Sequence, residues 1–243
     1  MKKLNICLLG IFTIVTSFAF KVNASEVAIS LDQNDQGELV ASEMMDFHGK
    51  SRDEIFARAL SVARDYINGE NDNIDKADFD SRSIVFVKTL DNGKGGGKII
   101  DKDNAVFRFT ATLKPNSDGE MLFSIDDMWV TYKDKGIFQK TVPLSSLKDD
   151  NQKHKDLKKE FLNLLTAFME EYIDTMNAVD YQPVTHWNEL ASGKVVKGMN
   201  EFEVKLLKGN PRNISANGSR HKWMYSNSNV IVITDGKVTS IVE

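Results

Sequence analysis

The longest hydrophobic pattern in the chain runs from Leu157 to Met176. Leu157, Phe161, Leu164, Leu165, Phe168, Tyr172, Ile173 and Met176 fall on one helical stripe, with polar residues filling the other positions. A second stripe of the same period contains Ile55, Phe56, Ala59, Leu60, Ala63, Tyr66 and Ile67. Ser51 and Glu54 bracket its start as a capping box, and Asn68-Gly69 ends it. Between these helices the period falls to two. From Val106 to Leu113, Phe107, Phe109, Ala111 and Leu113 face one way while Arg108, Thr110 and Thr112 face the other, as in an antiparallel sheet with one wet face. Beyond the turn at Pro115 to Gly119, Met121, Phe123 and Ile125 share a face, but Met128, Val130 and Tyr132 continue one register off. That break predicts a β-bulge at Asp126-Asp127. Strands are also predicted over Glu38 to Phe47 and Ser83 to Leu90, with a glycine-rich hairpin loop from Asp91 to Gly97. Asn71 to Asp80 reads as an acidic loop.

The charges of the 153–178 helix run against its dipole, with Lys153, Lys155, Lys158 and Lys159 early and Glu170, Glu171 and Asp174 late. Each adverse end charge costs a few tenths of a kcal/mol, whereas burying one Leu or Phe stabilises by roughly 1.5–3 kcal/mol. Packing decides, so this helix must lie on something.

A boundary is expected at 179–186, where Tyr181-Gln182-Pro183-Val184-Thr185 interrupts every periodic pattern. A short helix begins near Trp187 and stops at Gly193. Asn200 then caps a second helix with Glu203 as its box partner, and Gly209-Asn210-Pro211 ends it. Strands follow at Arg220 to Tyr225, Val230 to Thr234 and Lys237 to Val242, with Asp235-Gly236 as a tight hairpin turn. Arg212 to Lys222 reads as an irregular loop. The expected class is α+β: a helix-on-antiparallel-sheet domain over 37–178, then a small two-helix and antiparallel-sheet domain over 187–243. Cutting at Pro183 is expected to leave two foldable pieces.

The first unit resembles an uncharacterised family of secreted bacterial domains with a TBP-like fold. The likeness rests on Gly49-Lys50-Ser51 with Glu54 to Ala59, Ser83 to Val87, Gly95-Gly96-Gly97, and Val106 to Thr112. It implies a fold and no function. The second unit resembles the BamE-type (SmpA/OmlA-like) outer-membrane assembly lipoproteins, through Gly198-Met199-Asn200, Glu203-Val204, Gly209-Asn210-Pro211, Trp223-Met224-Tyr225 and Asp235-Gly236-Lys237-Val238 in that order. That resemblance implies a binding and assembly module. Asn200 stands where the family usually has Thr, and caps equally well.

Lys2, Lys3 and the apolar run Ile6 to Phe20 read as an export signal, with Val22-Asn23-Ala24 as the cleavage site and residues 25–36 as a polar lead-in. Cys7 precedes the apolar run instead of following it, so export without lipidation is expected. The full chain has 31 basic and 35 acidic side chains. Residues 1–24 hold three of the lysines and no acid, which leaves 28 against 35, a formal −7, and no cysteine. Without disulfides, stability must come from packed cores. A mild acidic excess with no basic block argues against nucleic acid as a partner, and the N-terminal run is too short for an integral membrane protein.

Motifs for catalysis are missing. Met44 stands where a phosphate-binding loop ending in Gly49-Lys50-Ser51 needs its first glycine. Asp72, Asp75, Asp78 and Asp80 lack EF-hand spacing. Asp126 and Asp127 are adjacent on a strand and point apart. His48, His154, His186 and His221 have no zinc spacing, and His221 lies between Arg220 and Lys222. Asn213-Ile214-Ser215 and Asn217-Gly218-Ser219 fit the glycosylation pattern but, after a bacterial-looking signal, read as loop residues. No cofactor, metal or catalytic residue is expected. The expected function is a non-enzymatic exported module that binds envelope proteins, with Arg212, Asn213, Asn217, Arg220 and Lys222 as the candidate partner-binding residues. The alternative is a carrier holding a lipid or small apolar ligand between the 153–178 helix and the sheet. Trp223 and Tyr225 are assigned to the core of the second unit, because a unit this small needs its aromatics for burial.

Overall fold

A computed structural model describes residues 29–67, 69–91, 105–133, 139–226 and 228–242. The export signal and the glycine-rich run from Asn92 to Gly97 lie outside the described residues. In chain order the elements are β1 (Asp32–Gln33), β2 (Leu39–Asp46), α1 (Arg52–Tyr66), β3 (Asn73–Asp78), β4 (Ser83–Asp91), β5 (Val106–Pro115), β6 (Glu120–Lys133) and β7 (Gln139–Pro143). The long helix α2 (Gln152–Ala178) follows, then α3 (Trp187–Ala191), α4 (Glu201–Lys208), β8 (Asn213–Asn217), β9 (Arg220–Met224), β10 (Val230–Thr234) and β11 (Lys237–Val242). The fold is α+β with two antiparallel sheets. The larger runs β1-β2-β6-β5-β4-β3 with β7 also paired to β6, and the smaller runs β11-β10-β9-β8.

The predicted alternation places Phe107, Phe109, Ala111 and Leu113 in the core, each fully buried. The bulge falls at the phase break. Arg108 pairs with Trp129 and Thr110 with Asp126, so Asp127 and Met128 oppose the single residue Phe109, and Asp127 takes a positive φ of 46°. Both long helices lie on the same face. Phe161, Phe168 and Tyr172 of α2 meet Phe86, Phe107, Phe109 and Phe123 with ring centroids 5.5–6.4 Å apart. Interlocked aromatic rings therefore fill the space between α2 and the sheet.

The adverse charges of α2 are answered from outside the helix. Its last turn contains no basic residue, but the Arg58 guanidinium of α1 donates to the carbonyls of Met176 (3.1 Å) and Val179 (2.8 Å). Glu54 holds Arg58 in place at 2.8 Å. The predicted capping box of α1 is thereby only half formed: Ser51 accepts from the Glu54 N–H, while the Glu54 carboxylate turns to Arg58.

Two loops expected from sequence are strands. Residues 73–78 of the acidic stretch pair with β4, and Ile74 and Ala77 pack against the core. Asp, Asn and Lys are poor strand formers, and pairing beside an ordered strand overrides that preference. The expected irregular loop 212–222 is the β8–β9 hairpin. Asn217 pairs with Arg220 across the two-residue turn Gly218-Ser219, with Gly218 at φ 60°. A positive φ at the first central residue alone matches a type II′ turn, which glycine adopts without strain.

The two sheets share one hydrophobic cluster. Phe56 of α1 lies 6.1 Å from Trp187, and the Arg82 guanidinium sits 3.9 Å over the Trp187 ring. Arg64 donates to the carbonyl of Leu206 at 2.7 Å, which ties α1 to α4. The 179–186 segment contains no helix or strand, yet Tyr181 packs on Phe202 at 5.6 Å.

Candidate functional site

The β8–β9 hairpin gathers four of the five candidate partner-binding residues on one face. Cross-strand pairs share a face, and residues two apart on a strand do so as well. The pairing Asn213↔Met224, Ser215↔Lys222 and Asn217↔Arg220 therefore places Asn213, Ser215, Asn217, Arg220 and Lys222 together. Thr234 and Lys237 of the β10–β11 turn extend the same face, since Thr234 pairs with both Arg220 and Lys237. Among the described residues, none of Arg220, Lys222 and Lys237 meets a carboxylate. Arg212 precedes β8 and is exposed, with its N–H donating to the Met224 carbonyl at 2.9 Å. Toward the two turns this face is solvated, cationic and rich in amide and hydroxyl groups, while Met224, Val230 and the buried Val232 lie on it further along.

The opposite face of this sheet is the core of the smaller unit. Trp223 is 2% exposed, pairs with Ile231, and lies under α4 with Phe202 and Leu206. Among the described residues its buried indole N–H finds no acceptor, and Lys205 Nζ sits 5.5 Å over its ring. The row continues outward through Ile214, which pairs with Trp223 yet remains 51% exposed. α4 lies along β9, with Glu201 at His221 and Gly209 at the Tyr225 hydroxyl, and Ile214 lies to one side of it. Ile214 and Ser215 lie within the 212–222 segment expected to bind but outside the five named candidates, and Lys237 lies outside both. Gly218-Ser219 between two alternating segments was the hairpin signal that could have found the first two.

Glu203 organises the entry to α4. It is fully buried and closes the predicted capping box with Asn200, whose N–H it accepts at 2.8 Å. It also accepts the backbone N–H groups of Thr185 (2.6 Å) and His186 (2.9 Å), and faces His186 Nδ1 at 3.0 Å. Burial raises its pKa, but the hydrogen bonds outweigh burial and hold the carboxyl below its ordinary value. Thr185, His186 and Glu203 do not form a catalytic triad. The Thr185 hydroxyl (3.1 Å) and Glu203 both converge on Nδ1, whereas a relay needs the hydroxyl and the acid on opposite ring nitrogens.

The other titratable candidates are engaged separately. His221 faces α4 and meets Glu201 at 3.2 Å, so its charged sequence neighbours do not set its surroundings. His154 Nδ1 accepts the N–H of Lys148, and His48 pairs with Asp46. Asp127 accepts from Trp129 Nε1 at 2.7 Å. Asp72 holds Lys88 at 2.6 Å, and Asp78 closes the following turn through the N–H groups of Asp80 and Ser81. Among the described residues no three such side chains converge on a metal-sized space. A cleft of about 320 Å³ lies between α1, the end of α2 and α4. Its polar lining is largely self-paired, with Arg64 on Leu206 and Asn210 on Asp65.

No family model and no curated protein matches the chain. Two solved structures are similar to part of it. A DUF4468 family protein from Bacteroides ovatus is 14% identical with a TM-score of 0.43, covering 63% of this chain and 94% of its own. A TBP-like protein from Parabacteroides distasonis is 16% identical with a TM-score of 0.45, covering 60% of this chain and 97% of its own. Among the described residues no helix is long and apolar enough to cross a membrane.

Proposed function

We propose that this chain is a non-enzymatic, exported protein-binding or assembly module of the bacterial cell envelope, and that it binds through the β8–β9 hairpin. The observation that carries the reading is the exposed, cationic face of Asn213, Asn217, Arg220 and Lys222, on a chain whose overall charge is negative. Cations left without carboxylate partners favour and steer an acidic partner. The BamE-type order of elements in 187–243 and the basic, apolar N-terminus agree with an envelope role. The carrier reading has no comparable support, because aromatic rings fill the space beneath α2.

A photo-crosslinking residue placed at Ser215 tests the site in cells. It should capture a defined envelope protein, identified by mass spectrometry. Arg220→Glu combined with Lys222→Glu should abolish the adduct, while a crosslinker at the exposed Glu170 of α2 should capture nothing specific. Equal adducts at both positions, or an adduct indifferent to charge reversal, would refute the assignment. N-terminal sequencing of the mature protein should find Ser25; an intact Met1 or a lipid on Cys7 would refute export as a soluble protein.

A further inference from the structure

We propose that β8 receives an extended segment of the partner as a fifth strand, and that this segment alternates acidic with aliphatic side chains. The inference rests on the hairpin reading above and specifies how the hairpin is used. An exposed sheet edge offers unpaired N–H and C=O groups to any extended chain, so edges are normally blunted. Among the described residues the other outermost strands carry such devices, and β2, which extends past β1 from Ala41 to Asp46, carries Glu43 and Asp46. β1 is two residues long and carries Asp32. β3 carries Asp75, Lys76 and Asp78, and β7 carries Lys140 and Pro143. β11 is covered where Gly198 donates to the Val238 carbonyl and Val238 donates to that of Met199.

β8 has none of these devices. Asn213, Ile214, Ser215, Ala216 and Asn217 are all exposed, and none is charged or a proline. With Asn217 and Arg220 closing the turn, alternation leaves the N–H and C=O groups of Ile214 and Ala216 directed away from β9. A strand docked there is read differently on its two sides. Residues on one side fall beside Asn213, Ser215 and Asn217, within reach of Lys222 and Arg220, and complement them if acidic. Intervening residues fall beside Ile214, at the open end of the Trp223 row, and remove its exposed surface from water if aliphatic. Main-chain hydrogen bonds supply affinity in this mode, and the alternating side chains supply selectivity.

The test titrates the full-length mature protein, followed by amide NMR, with a short blocked peptide alternating glutamate and valine. The N–H groups of Ile214 and Ala216 should become protected from solvent exchange. A peptide of the same composition with its glutamates in one block should bind about tenfold more weakly. Ala216→Pro removes one outward donor at an edge position where proline is tolerated, and should weaken the alternating peptide about tenfold with the melting temperature unchanged. If that variant unfolds the hairpin, Ile214→Glu, which puts a like charge on the aliphatic side of the edge without altering the backbone, takes its place and should have the same effect. Equal binding of both peptides without amide protection would overturn strand addition and leave a purely electrostatic face. A concentration-dependent dimer lost in Ala216→Pro would overturn it in favour of a second copy of this chain. If the Ser215 adduct described above forms in cells but persists in Ala216→Pro, strand addition fails while the hairpin remains the site. If no adduct forms, the hairpin reading itself fails.

Discussion

Each sheet lays one face on helices, but α1 and α2 together cover the larger sheet whereas the single helix α4 lies along β9 and leaves β8 exposed. The consequences can be followed along single cross-strand rows. In the larger sheet, Phe86, Ala111 and Ile125 align across three strands, and each is at most 2% exposed. In the smaller sheet the row Ile231, Trp223 and Ile214 runs from fully buried, through 2%, to 51% exposed. The same alternation builds both rows, and the placement of the covering helix decides where burial ends. Beyond α4 the smaller sheet leaves the exposed edge β8 beside Arg220 and Lys222, which meet no carboxylate among the described residues.

The largest test of this contrast is division of the chain. Cutting at Pro183 should leave the larger unit folded, because α1, α2 and its whole sheet, β1 included, remain together. Residues 187–243 should lose the α1 surface and the Arg64 contact to Leu206, and a core below 60 residues is marginal by itself. A dispersed amide spectrum from the isolated C-terminal piece would show that α1 is not needed to complete its core.

Trp223→Ala removes the centre of the smaller row and should cost roughly 3–5 kcal/mol, read by denaturant unfolding. An unchanged midpoint would move Trp223 out of the core and onto the binding surface.

Glu203→Ala should cost about 1–3 kcal/mol, chiefly by stranding the N–H groups of Thr185, His186 and Asn200. Because the folded state holds this carboxyl below its ordinary pKa, its contribution is complete at pH values above the ordinary glutamate range. It is lost as the pH falls through that range toward the lower folded value. Unfolding midpoints of wild type and Glu203→Gln should therefore converge on acidification. A constant gap between them would assign the stabilisation to shape and not to charge.

Ile214→Ser should change stability by no more than about 0.5 kcal/mol, since the side chain is already half exposed. A larger loss would mean that burial extends over β8 after all, and would remove the contrast between the two sheets.

Much of this architecture was legible in periodicity. The α1 and α2 stripes, the β5 alternation, the bulge at Asp126-Asp127 and the Asn200–Glu203 box are local patterns. Each is set by which residues must share a face or satisfy a helix end. The strand at 73–78 was not legible, because Asp, Asn and Lys dominate it and only pairing with β4 makes it extended. The β8 strand was signalled by Gly218-Ser219, but Asn213, Ser215 and Asn217 resemble loop residues when read one at a time.

Glu54 and Glu203 mark the division most sharply. Both stand three residues after a helix cap, and the sequence alone assigns both the same role. Glu203 adopts it, while Glu54 turns to Arg58, which reaches the carbonyls at the end of α2. By itself the sequence determined periodicity, helix caps and turn chemistry, because these depend on neighbours within a few residues. Only the tertiary structure decided which edge stayed open, which cations stayed unpaired and which helix end received Arg58. Those outcomes depend on residues far apart in the chain, and on where a covering helix lies.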